Sequence, residues 1–167
     1  MTDWSAAKRK AARQLGVPDD ARLPSNEDVQ QALTDYHALF AGPEHTASLR
    51  AQRAVALRWM RRLEQWSPLL VGGVAAGWAS AHSDVRIELV ADDPKSVEMT
   101  LAGKGVQYAA LPDRGEVAGD AQLLIHGEEA DVRLSVLTPN QRRNRPRRDD
   151  DPRLTLDEVA ALVEQQE

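Results

Sequence analysis

Cysteine is absent from the chain. That absence excludes disulfide staples, thiolate-rich zinc centres and cysteine nucleophiles, and it fits a reducing compartment. Also lacking is any apolar run near the roughly 20 residues that span a bilayer. The longest, Leu69 to Ala81, is broken by Gly72, Gly73 and Gly77. The N-terminal residues carry Asp3, Lys8, Arg9 and Lys10 where a signal peptide has its apolar stretch. No internal repeat is present. The expectation is a cytoplasmic protein with no membrane partner.

What remains describes an ordinary globular chain. It has 167 residues, 42 % apolar and 28 % charged, with a formal net charge of -5, enough for one hydrophobic core and little more. Charge is unevenly spread. Residues 1–66 hold ten Lys/Arg against eight Asp/Glu, whereas residues 67–138 hold five against eleven. An acidic middle attracts cations and repels phosphate unless metal ions or local arginines intervene.

Hydrophobic periodicity and local stop signals divide the chain into elements. The first helix is expected from Asp3 to Leu15, with Gly16 as its stop. A second, capped by Ser25 and running to Phe40, places Val29, Leu33, Tyr36 and Phe40 on a buried stripe. A third is expected from Thr46 to Trp66, with Leu49, Ala56, Met60 and Leu63 inward and Arg50, Arg53, Arg58, Arg61 and Arg62 over much of the remainder. Leu69 to Val71 then leads into Gly72-Gly73 and a short small-residue helix through Ser80. Val85, Ile87 and Leu89 alternate with polar residues, the mark of a half-buried strand.

Further on, Asp93-Pro94 opens a helix closed by Gly103 to Gly105. Strands are expected at Val106 to Ala110, Gln122 to His126 and Asp131 to Leu137, the last two joined by a turn at Gly127-Glu128-Glu129. Pro139 to Pro152, rich in Arg and Asp, reads as a mobile loop whose charges pair with one another. Thr155 and Glu158 form a capping box for a final helix that buries Leu156, Val159, Ala160 and Val163. The fold class is α+β: a mixed sheet packed with helices over residues 67–167, preceded by a three-helix segment over residues 1–66.

Gly72-Gly73, then Ser83-Asp84-Val85-Arg86 with Asp84 twelve residues past Gly72, then Asp131 on a later strand, follow one another in that order. This arrangement resembles the polymerase-β type of nucleotidyltransferase core, over Leu69 to Pro139. The resemblance implies a glycine turn, Gly72 and Gly73, whose amides approach a nucleotide's phosphates. It also implies carboxylates, Asp84 and Asp131, that hold Mg²⁺. The family's second strand carboxylate is replaced here by Arg86, a cation where a metal ligand belongs. Glu88 shares the face of Asp84 but lies two residues further along.

The resemblance therefore implies a catalytically degenerate module that binds a nucleotide, a nucleic acid or a protein partner, with Arg86 and Arg133 as anion contacts and no cofactor. The alternative is an active Mg²⁺-dependent transferase using Asp84, Glu88 and Asp131. A separate alternative is RNA or DNA binding through Lys8, Arg9, Lys10 and Arg13. The stretches Trp4 to Gly16 and Leu23 to Glu27 also look like a family of small bacterial proteins, some labelled UDP-N-acetylmuramate–alanine ligase. That label requires a Gly-Lys-Ser/Thr phosphate loop, and Gly103-Lys104-Gly105 is not one. His82, Trp59, Trp66 and Trp78 read as structural residues.

Overall fold

Alternating and helical periods both find their elements in the computed structural model, which describes residues 4–18, 21–40, 42–112, 121–145 and 151–165. Among these residues run seven helices and a five-stranded mixed sheet, an α+β fold. The helices are α1 (Ser5–Gln14), α2 (Asn26–Phe40), α3 (Gly42–Arg62), α4 (Gly72–Ala76), α5 (Pro94–Gly103), α6 (Pro139–Asn144) and α7 (Leu156–Glu164). The strands are β1 (Leu69–Val71), β2 (Val85–Val90), β3 (Ala109–Leu111), β4 (Ala121–Ile125) and β5 (Val132–Leu137), in the spatial order β1-β2-β5-β4-β3. The central pair β2/β5 is parallel, and every other pair is antiparallel.

Strand periodicity makes the sheet two-sided. Val85, Ile87 and Leu89 on β2, Val132, Leu134 and Val136 on β5, and Leu123 and Ile125 on β4 are all buried. They share one apolar core with Leu49, Ala56 and Met60 of α3, Leu63 just after it, Val97 and Leu101 of α5, and Val159 of α7. Thus α3 belongs to the same core as the sheet. The residues between them in β2 and β5 are polar: Arg86 and Glu88 on one strand, Arg133 and Ser135 on the other, side by side in register.

Several boundaries have a local cause. Asp93 accepts the Lys95 N–H at 3.0 Å to start α5. Gly77, at φ 92°, stops α4 four residues earlier than expected. α3 starts at Gly42 with Pro43 in its first turn, where a proline is tolerated, and so exceeds its expected N-terminal end. β3 lies at Ala109–Leu111, displaced towards its antiparallel partner β4. Leu154 exchanges backbone bonds of 2.8 and 2.9 Å with Leu70 and so covers the outer edge of β1.

Three expectations need correction. Tyr36 is 57 % exposed and so does not continue a buried stripe on α2, while the side chain of Phe40 lies outside those described. Arg53, expected on the outer side of α3, is only 8 % exposed. The expected mobile loop after Pro139 starts instead with α6, whose Thr138–Gln141 capping box satisfies both ends of its first turn. Residues 146–150 of that stretch fall outside the described ones, as does Asp3.

At α7 the foreseen box is in place. Thr155 N–H donates to Glu158 Oε2 at 2.7 Å, and Glu158 N–H donates to Thr155 Oγ1 at 3.4 Å. These bonds hold the Glu158 carboxyl below its ordinary pKa. Thr155→Ala is expected to cost about 1 kcal/mol in urea unfolding, with an unchanged m value.

Candidate functional site

The pairing of β1 with β2 sets the site. Val71 lies opposite Arg86, so the chain turns at Gly72 directly over that arginine. Gly72 has φ 74°, and a β-carbon there would sit 3.2 Å from Arg86 Cδ. At Gly73 an added β-carbon would come within 2.9 Å of the Trp78 ring. Both positions need glycine, one for backbone angle and space together, the other for close ring packing.

From the other side, α3 grips this turn by its backbone. His45 Nε2 lies 3.3 Å from the Gly77 carbonyl oxygen, and Gln52 Nε2 donates to the carbonyls of Ser80 and Ser83 at 2.8 and 3.2 Å. Arg53 Nε donates to the Val74 carbonyl at 3.2 Å. Spacing along one helical stripe brings these three side chains to a single segment, Val74 to Ser83. That segment leads straight into Asp84.

Asp84 does not stand open. Arg133 Nε and Nη2 both donate to its Oδ2, at 3.1 and 2.7 Å. The pair is partly buried, with 31 % and 25 % of the two side chains exposed, which favours a charge-assisted bond over a solvated surface contact. Asp131 lies at the adjacent register position, before β5. It accepts from Gly127 N–H at 3.3 Å and meets His126 Nδ1 at 3.1 Å, closing the β4–β5 hairpin.

Glu88 is separated from Asp84 by four residues of strand, ~13 Å. It is 1 % exposed. Arg142 Nε donates to Oε1 at 3.2 Å and Arg145 Nη1 to Oε2 at 2.8 Å. Arg142 also spans to the Glu88 and Ser67 carbonyls, at 3.0 and 2.6 Å. Burial lowers the pKa of the Arg142 guanidinium, an effect that Glu88 opposes. Glu88 therefore pins α6 onto the sheet.

The structure thus brings Asp84 and Asp131 to neighbouring strand ends but leaves Glu88 apart. Among the described residues no group of three or more acidic or histidine side chains is arranged to hold a metal ion. A Mg²⁺ pair requires several oxygen ligands on one centre. Asp84, Glu88 and Asp131, each engaged elsewhere, do not make that donor set.

The other candidates are dispersed. Arg9, Lys10 and Arg13 are exposed on α1, and Lys8 Nζ donates to the Pro24 carbonyl at 2.8 Å. Trp4 anchors that helix by an edge-to-face contact with Trp78, ring centroids 5.2 Å apart. Lys104 caps the end of α5 and donates to the Arg62 carbonyl at 3.0 Å, a structural use of the Gly-Lys-Gly segment.

Sequence reasoning missed Arg142 and Arg145 as site-forming residues. The available signal was Thr138-Pro-Asn-Gln141, a helix start that places Arg142 at the fourth position of a short helix and Arg145 at its C-cap. No protein-family model matches the chain, and no curated protein shows significant similarity to it.

Proposed function

We propose that the protein is a catalytically degenerate nucleotidyltransferase-fold module that binds a phosphate-bearing ligand, a nucleotide in the first instance. The ligand lies over the Gly72-Gly73 turn, where Arg86 and Arg133 contact its phosphates. The observation that carries this reading is the answering of acids by arginines on the polar face of β2 and β5. Asp84 is neutralised by Arg133, and Glu88 by Arg142 and Arg145. A carboxylate so engaged is a poor metal ligand, and a guanidinium is a planar multi-donor suited to phosphate. Arg133 commits only Nε and Nη2 to Asp84, and a guanidinium has five N–H donors.

Binding on this reading needs no Mg²⁺. Adding ATP or another nucleoside triphosphate to the full chain is expected to raise the thermal midpoint equally with Mg²⁺ and with EDTA. At ten times the dissociation constant the rise is about 3–6 °C. Arg86→Ala/Arg133→Ala is expected to abolish that rise. Stabilisation that requires Mg²⁺, accompanied by transfer of label from a nucleotide to an acceptor, would replace this reading with the active transferase built on Asp84, Glu88 and Asp131. Stabilisation by RNA alone, lost in Arg9→Glu/Lys10→Glu, would move the site to α1.

A further inference from the structure

Among the described residues, Arg53 has a buried charge and no acid to meet it. The residue is 8 % exposed, its Nε donates to one backbone carbonyl, and among the described residues no carboxylate forms an ion pair with it. More exposed arginines at or beside the sheet have such partners: Arg133 has Asp84, and Arg142 and Arg145 have Glu88. The order is the reverse of what solvation demands. A buried guanidinium costs several kcal/mol unless a counter-charge or a full set of acceptors compensates it. Burial accordingly lowers the pKa of Arg53, with no opposing contribution from a neighbouring acid.

The single acceptor, Val74 O, uses one of five N–H donors. Arg53 Nη2 lies at the end of α4, where it would be 3.7 Å from a β-carbon on Gly77. Gly77 has φ 92°, so backbone angle alone favours glycine there. One residue on, Trp78 Nε1 is buried with no hydrogen-bond partner among the described residues. His45, at 3.3 Å from the Gly77 carbonyl, lies on the third side. Two buried groups short of acceptors among the described residues, Arg53 and Trp78, therefore belong to α3 and to the segment it grips, and a negatively charged oxygen is the chemistry that would satisfy either.

We infer that Arg53 anchors a binding site for a small oxyanion, a carboxylate or a phosphate, at the C-terminal end of α4 beside Gly77 and Trp78. The site is independent of the one proposed over Gly72-Gly73. Arg86 meets the first glycine of the segment and Arg53 the last, so either can fail without the other. An anion at Arg53 completes the guanidinium's hydrogen bonds and ties α3 to the segment that leads into Asp84.

The test uses the full chain in chloride buffer of constant ionic strength, with sodium phosphate, sodium acetate and AMP as separate probes. At least one probe is expected to raise the thermal midpoint by about 3–6 °C at ten times its dissociation constant, and Arg53→Met is expected to lose that rise. Arg86→Ala/Arg133→Ala is expected to keep the response to phosphate or acetate and to lose any response to AMP. A response to phosphate assigns an inorganic or terminal phosphate and one to acetate a carboxylate; a response to AMP alone belongs to the Gly72-Gly73 site and counts against the inference. Excluded salts stabilise proteins in general, so the difference between the chain and Arg53→Met is the quantity read.

Should Arg53→Met fail to fold, an amide and indole NMR titration of the unaltered chain decides the matter. Shifts centred on Gly77 N–H, Trp78 Nε1–H and Arg53 are expected. An equal midpoint rise in Arg53→Met, no response to any of the three probes, or shifts confined to Gly72, Arg86 and Arg133 would overturn the inference.

Discussion

Arg142→Met/Arg145→Met is expected to lower folding stability by about 3–5 kcal/mol, because it strands the Glu88 carboxylate in the protein interior. Glu88 is 1 % exposed and its two oxygens are matched one to each arginine, at 3.2 and 2.8 Å. Removal of both cations deletes the counter-charge without restoring water. The same change frees the Ser67 carbonyl and the Glu88 carbonyl, each of which accepts from Arg142. Urea unfolding should show the full loss in the midpoint. A loss under 1 kcal/mol would mean that water reaches Glu88 and that α6 is not pinned by charge.

The companion variant separates ion pairing from packing. Glu88→Leu/Arg142→Met/Arg145→Met removes the acid together with its cations, and is expected to recover most of the lost stability. The recovery distinguishes two uses of a buried ion triad. If the triple variant is as stable as the unaltered chain but binds nucleotide less well, Glu88 serves to place α6 beside the sheet face and not to hold the fold together. If stability and binding both return, the triad is a dispensable fastening.

Much of the fold is legible because its determinants are local. Val85, Ile87 and Leu89 announce β2 by alternation, and all three are buried. Thr155 and Glu158 announce α7 by a bond pattern that closes within four residues. The same local code was present at Thr138 and Gln141, yet the arginines and aspartates that follow have the composition of a solvated loop, and composition outweighed the cap. What converts that stretch into structure is Glu88, 54 residues from Arg142 and 57 from Arg145.

The candidate site divides along the same line. Gly72 and Gly73 could be read as a tight turn, since positive φ and close approach leave a compositional trace. The pairing of Arg133 with Asp84 joins residues 49 apart and depends on the parallel register of β2 and β5, which no local pattern reports. Arg53 shows a different limit. On a helical wheel it stands among solvent-facing arginines, but the neighbouring turn at Val74 to Gly77 folds over it. Burial of a side chain is decided by what covers it, and its covering here comes from another element.

The core that carries this face is expected to give the second large effect. Leu134 is fully buried on β5, between Ile87 and Leu123 in register, and its side chain lies on the sheet face opposite the arginines. Leu134→Ala removes apolar contacts and leaves a cavity at the centre of five strands, at a cost of about 2–5 kcal/mol. A domain of this kind is stable by about 5–15 kcal/mol, so the variant remains mostly folded at 25 °C wherever the starting stability exceeds the loss by about 1 kcal/mol or more. Because Leu134 touches the core and not the charged face, the rise in thermal midpoint caused by a nucleotide should persist from the lower starting point. Loss of that rise along with the stability would show that the arginine row depends on the exact level of the strand beneath it. Persistence assigns binding to Arg86 and Arg133 themselves, with the apolar layer acting only as their support.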